Sequence, residues 1–290
     1  MELTVEGAAA GWAVSHLTRA NLDVTDRDAV AAAIAAAKPE VLINAAAWTA
    51  VDRAESEPEA AHAVNARAPG IIGAACARAR IPVLHISTDY VFDGNAKRPW
   101  REDDPVAPLG VYGASKAAGE DALRAATENH IILRTAWVFS PHGQNFVRTM
   151  LRLAAERDEL AVVDDQHGCP TSATDIARVL LALAGRAANG ETAREAWGTW
   201  HFCNHGVTSW CGFARAIMAG AAARGAPAAD VHPIPTSAYP TPARRPANSA
   251  LDCTKLGSVF GIEPRPWAEA LDEVLDRLLT ATAKRKAEAR

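Results

Sequence analysis

Tyr112 and Lys116 stand four positions apart in "VYGASK" (111–116), a spacing that brings two side chains together on one face of a helix. A phenol with a pKa of about 10 is a poor acid–base catalyst at neutral pH, whereas a lysine ammonium one turn away lowers that pKa. The pair could therefore deliver a proton. Polar pairs at this spacing are also common on ordinary helices, so the surrounding sequence has to decide between the two interpretations.

Further polar groups follow an apolar run in "HISTDYVFDG" (85–94). Ser87, Thr88 and Asp89 stand at the carboxyl end of this predicted strand, where open α/β sheets bind their ligands. A hydroxyl from the strand end and the Tyr–Lys pair from the next helix can converge on one carbonyl group. Thr88 would hold its oxygen, Tyr112 would donate a proton, and Lys116 would tune Tyr112. The pattern predicts reduction of a ketone.

The elements that position these groups alternate between short apolar runs and alanine-rich amphipathic stretches, which is typical of a parallel sheet covered by helices. We predict strands at residues 13–18, 41–44, 82–87 and 131–135, and helices at residues 26–38, 58–79 and 113–126. The predicted fold class is therefore α/β, with a doubly wound, parallel, Rossmann-like sheet.

After Trp137 the alternation loosens. We predict a helix at residues 145–156, a strand at residues 160–165, and helices that begin near Thr174, Thr208 and Trp267. We divide the chain into a dinucleotide-binding domain at residues 1–140 and a mainly substrate-binding part at residues 141–290. The second part is expected to be intertwined with the first and to cover the ligand crevice of the sheet.

Composition excludes several other classes of protein. The chain has 290 residues, 49% of them hydrophobic, and a formal net charge of -4, so it can bury a sizeable core but has no overall positive field for nucleic acid or an anionic membrane. Its five cysteines form no close pairs, and we expect reduced, mostly buried thiols. We find no signal peptide and no run of roughly 20 apolar residues, and we expect a cytoplasmic protein.

Five separated motifs, spread from about Ala13 onward, resemble those of the dTDP-4-dehydrorhamnose reductase family of extended short-chain dehydrogenases/reductases: "STDYVFDG", "PLGVYGASKAAGE", "LRTAWVF", "DDQHGCPTSATDIA" and "RRPANSALDCTKL". The resemblance implies NAD(P)H-dependent reduction of the 4-keto group of dTDP-4-dehydro-6-deoxy-L-mannose to dTDP-L-rhamnose. It places Thr88, Tyr112 and Lys116 on the catalytic positions. Related dehydratases carry a second carboxyl group after the strand-end Asp, whereas Tyr90 follows Asp89 here, so elimination of water is disfavoured.

The resemblance also implies the contacts of the cofactor, NADPH or NADH, and of a nucleotide-sugar substrate. The cofactor contacts are Arg19, Asp23, Val24, Ala45, Ala46, Ala47, Thr49, Tyr112 and Lys116. The substrate contacts are Val51, Thr88, Asp89, Tyr90, Trp137, Asn145, Gln166 and Arg245, with Arg244 as the alternative to Arg245 for the diphosphate. Arg19 near a strand end favours NADPH, although it serves equally well as a surface cation. We expect a homodimer and no metal site.

The beginning of the chain departs from the family. A dinucleotide fold opens with a strand and a glycine-rich turn, whereas "MELTVEGAAAGWAV" has only Gly7 and Gly11 and is interpreted as the end of a helix that leads into the strand at 13–18. Either the true start lies upstream of Met1, which we favour, or the chain is truncated and binds dinucleotide weakly. The second case allows a non-catalytic regulatory or binding protein on the same scaffold, like the related regulatory subunit of methionine adenosyltransferase.

Overall fold

The first part of the chain contains three of the predicted strands and all of the predicted helices. The structure is a computed structural model that describes residues 1–190 and 194–288. Its elements up to residue 135 are α1 (Glu2–Ala9), α2 (Arg27–Ala37), β1 (Leu42–Asn44), α3 (Val51–Ser56), α4 (Pro58–His62), α5 (Ala68–Ala79), β2 (Val83–Thr88), α6 (Val111–Ala126) and β3 (His130–Thr135). A π-helical turn, Ala63–Arg67, joins α4 to α5. The predicted strands at 41–44, 82–87 and 131–135 are thus confirmed to within a residue or two.

The second part of the chain also contains the predicted helices. Its elements are β4 (Val138–Phe139), α7 (Phe146–Ala154), β5 (Glu159–Val163), β6 (His167–Gly168), β7 (Thr171–Ser172), α8 (Ala173–Ala188), β8 (Gly198–His201), β9 (Thr208–Ser209), α9 (Trp210–Ala223), β10 (Asp230–Ile234), α10 (Thr254–Phe260) and α11 (Trp267–Glu288). Helices α7, α8, α9 and α11 and strand β5 confirm the predictions for this part.

The central sheet has four parallel strands in the order β1-β2-β3-β8. Strand β8 comes from the second part of the chain and pairs with β3. Because side chains alternate along a strand, Leu84 and Leu133 pack with α8 on one face, while Val83 and Ile132 pack with α2, α5 and α6 on the other. Apolar helices therefore cover both faces, and the doubly wound α/β class is confirmed.

The strand predicted at residues 13–18 is wrong. These residues are mostly exposed, and no strand within the described ranges pairs with them. A strand is stabilised by the hydrogen bonds of a neighbouring strand and by burial of one face, and this segment has neither. The helix interpreted before it is confirmed: α1 packs on α8, where the buried carboxylate of Glu2 accepts hydrogen bonds from Thr174 and Arg277.

A second core lies beside the sheet, among α7, α9 and α11, with Phe139, Phe213 and Ile217 at its centre. Trp137, Trp210 and Trp267 pack against this core. All five cysteines are free thiols, and four of them are buried, as the sequence predicted. Among the helices described, none combines the length and the apolar character needed to cross a membrane.

Candidate active site

The carboxyl end of β2 and the first turn of α6 bring Thr88 and Tyr112 together. Thr88 ends β2 and caps a short 3-10 turn, Asp89–Val91, by accepting a hydrogen bond from the Tyr90 amide at 3.2 Å. The Thr88 hydroxyl also lies beside the Tyr112 phenol and acts to lower the pKa of that phenol. The ring of Tyr90 packs edge-on against that of Tyr112, with centroids 5.4 Å apart. Two residues that are 24 positions apart in the sequence therefore meet, as the motifs predicted.

Two glycines allow α6 to approach so closely. A Cβ atom at Gly113 would lie 2.1 Å from the carbonyl oxygen of Tyr90, and one at Gly119 would lie 1.9 Å from the carbonyl oxygen of Asn65. Any side chain at either position would push the helix away from the strand end. The spacing of Tyr112 from Thr88 thus depends on the absence of side chains elsewhere on α6.

Lys116 makes its hydrogen bonds to strand β2. Its Nζ donates to the carbonyl oxygen of Ile86 at 2.7 Å and lies 3.2 Å from Nε2 of His85. Burial lowers the pKa of Lys116 to about 8, although the charge of Glu120 raises it. Burial also raises the pKa of Tyr112 to about 12, against the lowering effect of Thr88. Desolvation of the phenol therefore dominates the pKa of Tyr112, and the tuning of Tyr112 by Lys116 stays a prediction.

Asn44 and His85 extend this contact to the end of β1, and the sequence reasoning missed both residues. Nδ2 of Asn44 lies 3.0 Å from Nδ1 of His85, and the Ala46 amide donates to Oδ1 of Asn44 at 3.1 Å. Asn44 and His85 are buried. A signal was available for His85, because it interrupts the apolar residues of "PVLHIS" before the polar strand end.

Asp89 is a buried carboxyl group beside the Thr88–Tyr112 contact. The Thr88 hydroxyl donates to its Oδ1 at 3.0 Å, and its Oδ2 has no hydrogen-bond partner among the described residues. Burial raises the pKa of Asp89 to about 6, against hydrogen bonds from Ser249 and Thr88. Asp89 is therefore a desolvated carboxyl group beside Thr88 and Tyr112, and its Oδ2 lacks a hydrogen-bond partner among the described residues.

Glu120, one turn beyond Lys116 on α6, belongs to a separate buried cluster. Its carboxylate accepts from Arg134 at 2.9 and 2.6 Å, from Ser87 at 2.6 Å and from Arg124 at 2.8 Å. Burial raises the pKa of Glu120, but the hydrogen bonds and charge of Arg134 outweigh it and lower that pKa overall. Ser87 is thus engaged with α6 and does not contribute its hydroxyl to the Thr88 side of the strand.

The loop that follows β1 holds the predicted cofactor residues. Ala45 and Thr49 are exposed, and Ala46 and Ala47 are half-buried. The loop is fixed by Asn65 in the π-helical turn, which accepts from the Trp48 amide at 2.8 Å and donates to the Trp48 carbonyl at 3.0 Å and to Ser115 of α6 at 3.1 Å. The loop therefore exposes small side chains and is connected by a hydrogen bond to α6, the helix of Tyr112 and Lys116.

The other predicted cofactor residues precede α2. Arg19 is exposed, and the carboxylate of Asp23 accepts hydrogen bonds from the amide and hydroxyl of Thr25 at 2.9 and 2.7 Å. Val24 packs on the same apolar cluster as Leu42 of β1. These residues stand on the loop between the irregular segment 13–18 and α2, on the β1 side of the sheet.

One of the predicted substrate residues, Arg245, is paired with a carboxylate of α3 and lies near Tyr90. Arg245 pairs with Asp52, which follows Val51, at 2.8 and 3.1 Å. The charge of Arg245 also acts on Tyr90, where burial raises the pKa. Arg244 is exposed, so the structure separates the two arginines that the sequence left open, and Arg245 is the one beside the site.

Trp137 follows β3 with a left-handed backbone, at φ 47°. Its ring stacks on that of Trp210, with centroids 3.6 Å apart, and a Cβ at Gly168 would lie 2.5 Å from it. A left-handed non-glycine residue costs about 1–3 kcal/mol and persists only where packing fixes it. The stacking partner Trp210 had no motif that could have identified it.

Asn145 and Gln166 are engaged in local hydrogen bonds. Asn145 caps α7, accepting from the Arg148 amide at 3.3 Å and donating to the Ser140 carbonyl at 2.7 Å. Gln166 donates to the hydroxyl of Thr236 at 3.0 Å. Within the described ranges, no hydrogen bond links either residue to the Thr88–Tyr112 contact, and their roles as substrate contacts stay predictions.

A parallel α/β sheet that presents a threonine and a Tyr-x-x-x-Lys pair at its carboxyl edge is the arrangement of the short-chain dehydrogenases/reductases. The chain belongs to the family described as RmlD substrate binding domain, whose model matches residues 1–280. This family assignment confirms the resemblance that the five motifs carry.

Individual relatives agree with the family. The dTDP-4-dehydrorhamnose reductase of Sinorhizobium fredii is 46% identical over 263 residues, which cover 91% of this chain and 88% of the relative. The crystal structure of a dTDP-4-dehydrorhamnose reductase from Clostridium acetobutylicum matches with a TM-score of 0.88 and 38% identity, over 96% of this chain and 94% of that one. The Bacillus anthracis enzyme, solved in complex with NADP, matches with a TM-score of 0.87 and 31% identity, over 94% and 93%.

Proposed function

We propose that this protein reduces the 4-keto group of dTDP-4-dehydro-6-deoxy-L-mannose to dTDP-L-rhamnose, with NADPH or NADH as the reductant. The observation that carries the proposal is the meeting of Thr88 and Tyr112 at the end of β2, in a chain whose relatives include dTDP-4-dehydrorhamnose reductases at 41–46% identity. The class of reaction, reduction of a carbonyl group by a nicotinamide, follows from the family.

Tyr112 has the protonation state that reduction needs. Because burial raises its pKa to about 12, Tyr112 is a phenol at neutral pH and can donate a proton to the oxygen of the reduced ketone. Thr88 would hold the same oxygen by a hydrogen bond that strengthens as negative charge develops. The nicotinamide, when bound, supplies the hydride.

The loop after β1 could bind one side of a dinucleotide. Ala45, Ala46, Ala47 and Thr49 offer small side chains and exposed backbone at the carboxyl edge, and Tyr112 and Lys116 lie on the helix to which this loop is anchored. Arg19, Asp23 and Val24 would line the adenosine end. No glycine-rich turn follows a strand in residues 1–190 or 194–288, so the residues described hold the nicotinamide side better than the pyrophosphate.

The nucleotide sugar would lie across the edge from the cofactor. We propose Val51, Asp89, Tyr90, Trp137, Asn145, Gln166 and Arg245 as its contacts, with the Arg245 guanidinium directed at the diphosphate. In this division residues 1–140 bind dinucleotide and residues 141–290 mainly bind substrate. The contribution of β8 to the central sheet supports the intertwining of the two parts. A cytoplasmic location and a homodimer complete the proposal.

Replacing Tyr112 by Phe tests the proposal. We expect Tyr112→Phe to lower kcat by about 10²–10⁴-fold, the usual contribution of a positioned proton donor, while the Kd for NADPH changes little. Turnover is followed by the loss of NADPH absorbance with the keto sugar, and cofactor binding by fluorescence. Tyr239→Phe, at an exposed tyrosine, is the matched control and should keep full activity.

Two outcomes would contradict the proposal. Full turnover in Tyr112→Phe would remove this residue from its role. A folded wild-type protein that neither binds NADPH nor reduces the keto sugar would instead favour a non-catalytic binding protein on the same scaffold. The absence of a glycine-rich turn from the described residues is the observation that keeps this second function open.

A further inference from the structure

The ring of Trp137 is held between two other elements of the second part of the chain. It stacks on the ring of Trp210, the first residue of α9, with centroids 3.6 Å apart and an angle of 6° between the planes. Its indole edge lies so close to Gly168 of β6 that a Cβ atom there would be 2.6 Å from Nε1. One face and one edge of the Trp137 ring are therefore packed against the protein.

One pair of short strands positions both of these neighbours. Strands β6 and β9 are antiparallel, with Gly168 opposite Thr208. The next residue, Ser209, caps α9 by accepting a hydrogen bond from a backbone amide of the first turn at 2.9 Å. Trp210 follows directly as the first residue of that helix. Because Gly168 and Trp210 depend on the same ladder, the ring of Trp137 is fixed from two sides at once.

An aromatic core supports Trp210 in turn. Phe146 of α7 packs on the Trp210 ring, with centroids 4.6 Å apart and planes at 51°, and it stacks on Phe213 at 5.6 Å. Phe213 is fully buried at the centre of the second core. The orientation of the Trp137 ring is therefore tied to this core through Trp210.

The main chain places Trp137 at the carboxyl edge of the central sheet. Thr135, the last residue of β3, lies opposite Thr88 of β2, and Trp137 follows shortly after it with φ 47°. Its carbonyl accepts a hydrogen bond from the Thr171 amide at 3.1 Å. Non-glycine residues rarely adopt this left-handed backbone, which persists where packing enforces it and is enriched at ligand sites. Trp137 thus belongs to the same edge as Thr88, in a conformation that its neighbours enforce.

Part of the Trp137 ring remains open to a ligand. The residue is only half-buried, and its indole N–H has no hydrogen-bond partner among the described residues. By contrast, the indole N–H groups of Trp48, Trp100 and Trp200 each donate to a backbone carbonyl at 3.0–3.2 Å. An aromatic ring offers an apolar face, and an indole N–H can only donate. The open part of Trp137 therefore suits a sugar ring, which has C–H groups and acceptor oxygens.

We propose that Trp210 is a positioning residue of the nucleotide-sugar site, because it holds the Trp137 ring in the orientation that packs against the sugar. The inference rests on the proposed function, in which Trp137 contacts the sugar, and it adds the residue that orients this contact. Trp210 acts through Trp137. Its replacement therefore changes recognition of the sugar and leaves binding of the nucleotide unchanged.

Two ligands separate the sugar from the nucleotide, namely dTDP-L-rhamnose and dTDP, each titrated into the full chain by calorimetry. We expect Trp210→Leu to raise the Kd of dTDP-L-rhamnose about tenfold and to leave the Kd of dTDP unchanged. Trp210→Phe keeps an aromatic face and should restore most of the affinity. Trp12→Leu, at another half-buried tryptophan that packs near Gly185 of α8, is the matched control and should change neither Kd.

Combination with Trp137→Leu tests the route of the effect. If Trp210 acts through Trp137, Trp210→Leu should cause no further loss of dTDP-L-rhamnose affinity in the Trp137→Leu background. Additive losses would show that Trp210 acts on the ligand by another route. An equal rise in the Kd of dTDP would show a general role in the fold. Either result would overturn the proposal.

The stacking itself is measurable in the wild type. Two stacked indoles give an exciton couplet in the far-UV circular dichroism spectrum, and Trp137→Phe and Trp210→Phe should each remove the same couplet. A spectrum that neither substitution changes would overturn the proposal, even where Trp210→Leu does not fold. Turnover of the keto sugar is a separate readout. A protein with the couplet and the selective loss of dTDP-L-rhamnose affinity, but without turnover, would support the role of Trp210 and contradict the proposed reaction.

Discussion

Lys116 and Glu120 are two ionisable residues one turn apart on the same buried face of α6, and their surroundings differ completely. The Glu120 carboxylate accepts four hydrogen bonds, three of them from the guanidinium groups of Arg134 and Arg124. The hydrogen bonds of Lys116 to the described residues go to the neutral groups of Ile86 and His85. A buried charge that is fully paired holds structure together, whereas one without a counter-charge shifts its pKa and becomes available for proton chemistry.

Removing the charge of Glu120 should have the largest effect on stability. Glu120→Gln leaves Arg134 buried without its counter-charge, and we expect the free energy of unfolding to fall by about 3–5 kcal/mol. Urea unfolding measures the change. Asp121→Asn, at the exposed neighbouring partner of Arg124, is the control and should cost less than about 1 kcal/mol. Equal effects of the two substitutions would mean that the cluster is not a structural ion network.

Asp89 resembles Lys116 in this comparison, since its hydrogen bonds come from the hydroxyl groups of Ser249 and Thr88 and from backbone amides. Its pKa of about 6 in the folded protein exceeds the value in an unfolded chain, about 3.9. Stability that is present below about pH 4 is therefore lost as the pH rises through 6. Relative to Asp89→Asn, the wild type should lose about 2 kcal/mol between about pH 4 and pH 7.

Denaturant curves of the wild type and Asp89→Asn at both pH values provide the measurement. The exposed Asp103 supplies the control substitution Asp103→Asn, which should leave the pH dependence of the wild type unchanged. If the wild type and Asp89→Asn lose stability in parallel, the carboxyl group is not desolvated in the folded protein.

Lys116→Met should act in the opposite direction to Glu120→Gln. Burial lowers the pKa of Lys116 to about 8, so at about pH 7 the folded protein contains a buried, desolvated ammonium group. Methionine has no charge to desolvate. Even after loss of the hydrogen bond to Ile86, we expect the free energy of unfolding to rise by about 1–2 kcal/mol. Between the pKa of Lys116 in the folded protein and that of a lysine in the unfolded chain, the unfolded chain binds more protons. The stability of the wild type relative to the variant therefore increases as the pH rises from 8 toward 10.

Thermal or urea unfolding at about pH 7 and pH 9.5 tests the Lys116→Met prediction. The exposed Lys97→Met is the control, with a change below about 0.5 kcal/mol. The variant should also lose turnover. A destabilised Lys116→Met would show that the lysine has a counter-charge that stabilises the fold.

Much of the architecture could be predicted because it depends on local pattern. The apolar runs of β1, β2 and β3 and the alanine-rich helices between them carry their own periodicity, and the strand-end position of Thr88 followed from it. The segment at 13–18 has a similar composition, but a strand also needs a partner, and local sequence does not reveal one. The wrong prediction there is a failure of long-range pairing.

The sequence predicted the meeting of Thr88 and Tyr112 but not the buried residues Asn44 and His85. Thr88 and Tyr112 meet as expected because a motif joined them, whereas Lys116 contacts His85 of β2, and His85 in turn contacts Asn44 of β1. His85 is 31 positions from Lys116 and Asn44 is 41 positions from His85, so no spacing rule connects them. The raised pKa of Tyr112 could not be predicted for the same reason, since desolvation depends on everything packed around the phenol.

The contact of Gly113 with the Tyr90 carbonyl limits how the pocket can be re-engineered. A Cβ atom at Gly113 would lie 2.1 Å from the Tyr90 carbonyl oxygen, so the main chain at Tyr90 and helix α6 are in direct contact and neither can shift along the other. Exchanging the Tyr90 side chain would leave this main-chain contact in place, whereas inserting residues between positions 88 and 91 would break it. Engineering of this loop should therefore vary side chains and keep the loop length constant.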